Sequence, residues 1–190
     1  PAASNRLTVT QEVMISEVMY HPEPTQANPE NNDNDEYIEL YNPTANPVTL
    51  CTPAEGGGWR IGGGAEYTFP SNAVIPAGGY IVVVPFNPTN TATGNSNEFC
   101  TAYGITNGQV QMYGPYAGQL DNALDRVALE RPVAPDIPGD PYAWFEVDEV
   151  KYWDQSPWVV GLDGTGKPLQ RTINRANGDD PANWTAGFTA

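Results

Sequence analysis

The sequence predicts an all-β fold, a sandwich of short strands joined by long loops. Three observations carry this expectation. Gly and Pro each occur 19 times in 190 residues, so turns are abundant and long helices are hard to place. Aromatic residues at 11% and apolar residues at 39% supply the large side chains that offset ordering entropy, which argues against disorder. Apolar residues also alternate in short runs bounded by Gly, Pro and Asn, the pattern of half-buried strands. A chain of 190 residues suits one domain and buries a continuous core without relying on many disulfides.

Residues 1–11 show no period and read as a linker, leaving 12–190 as one sandwich domain. The first strand runs from Val13 to Tyr20 with apolar groups on both faces. Next, His21 to Asn34 is a polar surface loop broken by Pro22, Pro24 and Pro29. The stretch Asp35 to Thr44 forms a central strand in which Ile38 and Leu40 face one side while Tyr37, Glu39 and Tyr41 face the other. It ends where Pro43 lacks the N–H that a ladder needs. Short strands follow at Val48 to Cys51, Trp59 to Ile61 and Tyr67 to Pro70, with Gly62-Gly63-Gly64 read as a break. Tyr80 to Val84, β-branched and bounded by Gly79 and Pro85, is the clearest core strand. Phe86-Asn87-Pro88-Thr89 repeats the aromatic-Asn-Pro-Thr exit of Tyr41 to Thr44. The segment Phe99 to Met112 is poorly patterned. Asp125 to Glu130 is a strand, and Trp144 to Tyr152 is another whose alternation slips near Asp148, which predicts a bulge there. Beyond Trp153 the chain reads as irregular, pinned by Trp158, Leu169 and Trp184.

Eight basic against 23 acidic residues give a net charge of −15, which argues against nucleic acid and anionic membranes as partners and favours cations. The longest apolar run, Tyr80 to Val84, is far too short for membrane insertion as a helix. The first residues hold no signal peptide, and the chain reads as a piece of a longer protein. Its acidic, Lys-poor, Asn/Thr/Gly/Pro-rich composition is similar to that of secreted bacterial modules. Cys51 and Cys100 leave two states open. A disulfide would close a loop of about 50 residues and contribute about 3 to 4 kcal/mol in the chain-entropy account, and two buried thiols are the alternative.

Several ordered blocks carry a resemblance: Ile15 to Tyr20, Glu36 to Thr44, Ile75 to Val83, Asp148 to Tyr152, Ser156-Pro157-Trp158, Asp163 to Gly166, Leu169-Gln170-Arg171 and Asp180 to Trp184. Together, from Val13 to Ala186, they resemble the lamin-tail domain of secreted bacterial proteins. That resemblance implies an immunoglobulin-like β-sandwich with long loops and an irregular C-terminal segment. It carries over no catalytic residues, and it implies a module appended to other domains of the same chain at the cell surface or in a secreted protein. Asn87 to Met112 and Ala134 to Ala143 are longer than the family's usual turns. Cys51, Trp59 and Cys100 are superficially similar to the antibody Cys-Trp-Cys pattern, but Glu98 stands where the tyrosine corner needs Tyr.

The acidic loop Asn31 to Glu36 offers oxygen ligands of the kind calcium takes, with Asn31, Asp33 and Asp35 as metal ligands and a solvated polar loop as the alternative. Asp163 to Gly166 and Asp179-Asp180 are similar candidates, although Asp-Gly is first a turn signal. Glu17 and Glu39 stand in strands where carboxylates are unexpected. They suggest either an acid and base pair for glycoside hydrolysis or partners for Arg60, Arg126 or Arg171. His21 is the single imidazole, which a nucleophile triad or a zinc site would have to use, and a surface-loop role suits it better. Neither a Gly-x-Ser-x-Gly elbow nor a Walker loop occurs. The expected function is therefore a non-catalytic accessory module that attaches or spaces a larger extracytoplasmic protein. The other reading is a calcium-stabilised module binding a glycan or peptide through Tyr113, Tyr116, Trp153 and Trp158.

Overall fold

The computed structural model describes residues 12–25, 28–29, 32–137, 139–172 and 176–188. In chain order the strands are β1 (Met14–Met19), β2 (Tyr37–Tyr41), β3 (Val48–Thr49), β4 (Cys51–Thr52), β5 (Gly57–Gly58), β6 (Arg60–Gly63), β7 (Ala65–Thr68), β8 (Val74–Ile75) and β9 (Tyr80–Val83). Helix α1 (Asn95–Ala102) follows, then β10 (Gln111–Tyr113), β11 (Ala117–Gly118), β12 (Leu124–Val133), β13 (Ala143–Trp153), β14 (Leu169–Arg171) and β15 (Trp184–Ala186). Residues 1–11, expected as a linker, lie outside the described residues.

Two sheets face each other. One has the order β10-β9-β2-β1-β14-β15 and the other β11-β7-β6-β12-β13, while β3-β8 and β4-β5 form two small ribbons. Between the sheets, Ile15, Val18, Ile38, Leu40, Ile81 and Val83 meet Ile61, Val127, Leu129, Val150 and Tyr152, all buried. Each such side chain contributes about 1.5 to 3 kcal/mol by leaving water. The fold is thus the all-β immunoglobulin-like sandwich that the sequence predicts.

Two bulges set which residues face where. In β1, Ile15 opposes Leu40 but Glu17 opposes Glu39, so Ser16 is the extra residue. It shifts the inward phase from Val13 and Ile15 to Val18 and Tyr20, and sends Met19 to the other face. In β13 the pairing passes from Leu129–Asp148 to Glu130–Glu146, which leaves Val147 as the extra residue beside the predicted position.

Three expectations change in detail. Gly62 and Gly63 continue β6 and do not break it, pairing with Ala128 and Val127 of β12; at Gly63 the missing Cβ allows the close approach to the Arg126 carbonyl. The unpatterned segment opens with the second half of α1, and this helix together with Tyr103, Ile105, Val110 and Met112 covers the outer face of the six-stranded sheet. There Met19, Tyr37, Val82, Val84 and Phe86 form a second apolar cluster with Phe99. Beyond β13 the chain is largely irregular, as expected, yet β14 pairs with β1 and β15 with β14. Trp158, Leu169 and Trp184 are buried there as anchors.

The repeated Asn-Pro-Thr exit has one geometry in both places. Asn42 Oδ1 accepts from the Thr44 N–H at 3.0 Å and from Oγ1 at 2.7 Å, and Asn87 Oδ1 accepts from the Thr89 N–H at 3.0 Å and from Oγ1 at 2.8 Å. Asn42 is fully buried and also donates to the Asn46, Ile75 and Pro76 carbonyls, which fixes where β2 ends.

Candidate functional site

The Ser16 bulge places Glu17 and Glu39 directly opposite each other on the outer face of the six-stranded sheet. Ser16 Oγ donates to Glu39 Oε1 at 2.6 Å. Tyr37 Oη donates to Glu17 Oε2 at 2.9 Å, and Gln170 Nε2 donates to Glu17 Oε1. Burial is the main cause that raises both carboxyls above the usual glutamate range, Glu39 to about 7. The hydrogen bonds oppose the shift, and at Glu39 the Glu17 charge adds to it. The expected Arg partners are absent because they are engaged elsewhere. Arg60 bonds Glu130 at 2.7 Å, Arg126 joins Glu130, Glu146 and Glu149, and Arg171 bonds Asp148 at 2.5 Å.

A cavity of about 300 Å³ opens over this pair, walled by Val82, Phe99, Tyr103, Ile105 and Val110. Tyr37 meets Tyr103 edge to face at 5.1 Å and Phe99 at 6.0 Å, so the wall is held by ring contacts. Chemically the arrangement is an anionic floor under apolar sides. None of the wall residues stands out in the sequence as a binding residue, and Val82 reads there as part of a core strand. The signal for the carboxylate pair was there, since both Glu residues fall in strands, but their facing depends on a bulge that single-sequence alternation does not position.

The other sequence candidates are dispersed. Asp33 and Asp35 form a short 3-10 turn, in which Asn32 Nδ2 donates to Asp35 Oδ2 and Tyr103 Oη donates to the Asp35 carbonyl at 2.5 Å. Asn31 lies outside the described residues. Among the described residues no three His, Cys, Asp or Glu side chains gather closely enough to hold a metal ion. Glu36, the next residue, is fully buried. It accepts from Tyr116 Oη at 2.5 Å and from the Leu120 N–H at 3.3 Å, and burial pushes it up to about 7. Asp163 pairs with His21, Asp179 accepts from the Lys151 N–H at 3.0 Å, and Asp180 accepts from the Ala182 N–H at 3.0 Å. Asp180 thus caps its own turn, whereas Asp163 ties its loop to His21 and Asp179 ties its loop to β13.

Cys51, half-buried, and Cys100, buried, are both free in this structure. β4 lies beside β12 of the five-stranded sheet, whereas α1 covers the far face of the other sheet, so the sandwich separates the two sulfurs. The aromatic platform is also dispersed: Tyr113, Tyr116 and Trp158 are buried in the core, and only Trp153 of the four is exposed.

A second exposed feature was not anticipated. β6 pairs with β12 only over Val127 to Glu130, so beyond it Arg131 to Val133 and Ala143 to Phe145 pair with each other alone. This free hairpin end carries Tyr142, Trp144 and Phe145, which are 48%, 37% and 47% exposed. Arg60 stacks over Trp144 at 3.9 Å and Arg131 over Phe145 at 4.9 Å.

Residues 7–143 match the family described as Lamin Tail Domain. The match ends where β13 begins, although β13 to β15 complete both sheets. A crystal structure of a DUF4876 family protein from Bacteroides thetaiotaomicron is similar, with a TM-score of 0.53 at 13% identity over 94% of this chain and 68% of that one; it shows a shared fold. None of the curated proteins matches the chain. With two facing sheets, the expected strand blocks and a family match over most of its length, this chain belongs to the lamin tail domain family.

Proposed function

We propose that this chain is a non-catalytic immunoglobulin-like accessory module of a larger secreted or cell-surface bacterial protein, and that it attaches that protein to a surface partner through the free end of the β12–β13 hairpin. The observation that carries this reading is the three exposed aromatic side chains at one end of the β12–β13 hairpin, two of them stacked by Arg. Trp, Tyr and Arg are enriched at binding hot spots, and the aromatic rings bury much area at low entropic cost. Family membership supports a module without catalysis. Among the described residues no helix is long and apolar enough to cross a membrane.

Binding of the labelled chain to bacterial envelope fractions and to a glycan array tests the reading, with Trp144→Ser/Phe145→Ser as the comparison. Binding that falls at least about tenfold in the variant, a loss of roughly 1.4 kcal/mol, is the expected result. Binding that the variant retains in full would overturn the hairpin's role.

A further inference from the structure

The pocket over Glu17 and Glu39 lies on the other sheet from the hairpin, and its reading stands apart from the one above. Two carboxylates directly opposed across a strand pair destabilise each other unless a cation or a proton intervenes. Elsewhere in the fold three buried strand carboxylates, Asp148, Glu130 and Glu149, are each met by Arg or Lys. At Glu17 and Glu39 the hydrogen-bond donors among the described residues are all neutral: Ser16, Tyr37 and Gln170. Glu39 Oε2 accepts no hydrogen bond from any described residue, and both carboxylates line the open cavity.

We propose that this cavity binds a primary alkylammonium group, its ammonium seated between Glu17 and Glu39 and its carbon stem against Val82, Ile105 and Val110. The chemistry of the lining selects this class. An ammonium carries three donors, which suits two carboxylates that still have free acceptor positions. The apolar wall takes methylene groups and rejects a fully hydrated ion. The rings of Tyr37, Phe99 and Tyr103 add a quadrupole that favours positive charge. Calcium needs six to eight oxygens, and this lining offers two carboxylates among carbon walls. A lysine side chain of a partner protein and a free diamine share the alkylammonium chemistry.

The test is NMR titration of the whole chain with pentylamine at pH 8, alongside 1-pentanol, 1,5-diaminopentane and a capped lysine. Saturable shifts at Val82, Ile105 and Val110 with pentylamine, at least about tenfold weaker with pentanol and in Glu39→Gln, support the proposal. Tighter binding of capped lysine points to a protein source, and tighter binding of the diamine to a free one. Because Glu39→Gln could disturb β2, Val110→Lys on the cavity wall outside β2 serves as a second variant, and its own ammonium beside the carboxylates should weaken pentylamine binding at least about tenfold, read at Val82 and Ile105. Absent shifts with pentylamine, or equal affinity for pentanol, overturn the proposal.

Discussion

Arg171 and Asp148 form a buried two-bond ion pair, with Nη1 2.5 Å from Oδ2 and Nη2 3.1 Å from Oδ1, that ties β14 of one sheet to β13 of the other. The Ile15 N–H donates to the same Asp148 oxygen at 2.8 Å, and Arg171 Nη1 donates to the Ile15 carbonyl at 3.1 Å, so three strands meet in one network. Removing one partner leaves a buried charge uncompensated. Asp148→Asn or Arg171→Met is expected to lower stability by about 3 to 5 kcal/mol in denaturant unfolding. The double substitution should cost clearly less than the sum of the two. Strict additivity would show that the pair does not act as a unit.

Burial lifts Glu36 and Glu39 to about 7 from the ordinary value of 4.5. A folded value above the unfolded one means that the fold favours the protonated carboxyl. Its stabilising contribution is full below pH 4.5 and is lost as pH rises through 7. Calorimetric Tm should therefore fall between pH 5 and 8, and Glu36→Gln, which keeps a neutral side chain, should flatten that fall. A wild-type and a Gln variant with parallel pH profiles would contradict the assignment.

Gly63 sits at φ +120°, and a Cβ there would lie 1.8 Å from the Arg126 carbonyl oxygen of β12. Backbone atoms cannot move aside cheaply, so Gly63→Ala is expected to cost at least about 2 kcal/mol. Gly78→Ala meets nothing within 4 Å and has only a positive φ of 63°, so its cost should be near 1 kcal/mol, as roughly expected for a lone left-handed residue. Equal Tm losses for the two would remove the close approach of β6 to β12 as the cause.

Both thiols are free, Cys100 is buried, and burial pushes its pKa up. Protein kept under air should show the mass of two reduced cysteines, with Cys51 labelled faster than Cys100 by a thiol reagent. Reductant should leave Tm unchanged. A mass lower by two hydrogens together with a fall in Tm on reduction would restore the disulfide.

Much of the sandwich is legible in the sequence because its strands alternate cleanly. Ile38 and Leu40 point to the core as their spacing requires, and the β-branched run expected as a core strand supplies β9, which ends at Val83, one residue before Val84. Helix α1 is not legible, since it is eight residues long and buries only Ser96, Phe99 and Cys100, too few for a period to show. The candidate site is half legible. Glu17 and Glu39 stand out as carboxylates in strands, but the Ser16 bulge that sets them face to face is a matter of pairing register. The hairpin end escapes for a related reason. Trp144 and Phe145 look like core residues until the length of β6 shows that nothing pairs beside them.

That this module binds and does not turn substrates over is the central claim, and product detection tests it most directly. The chain is incubated with a panel of glycans, esters and peptides across pH 5 to 8 and the mixtures are followed by mass spectrometry. No product above the buffer rate is predicted. Product that forms with the wild-type chain and is lost in Glu17→Gln or Glu39→Gln would contradict the claim and make the opposed carboxylates an acid and base pair.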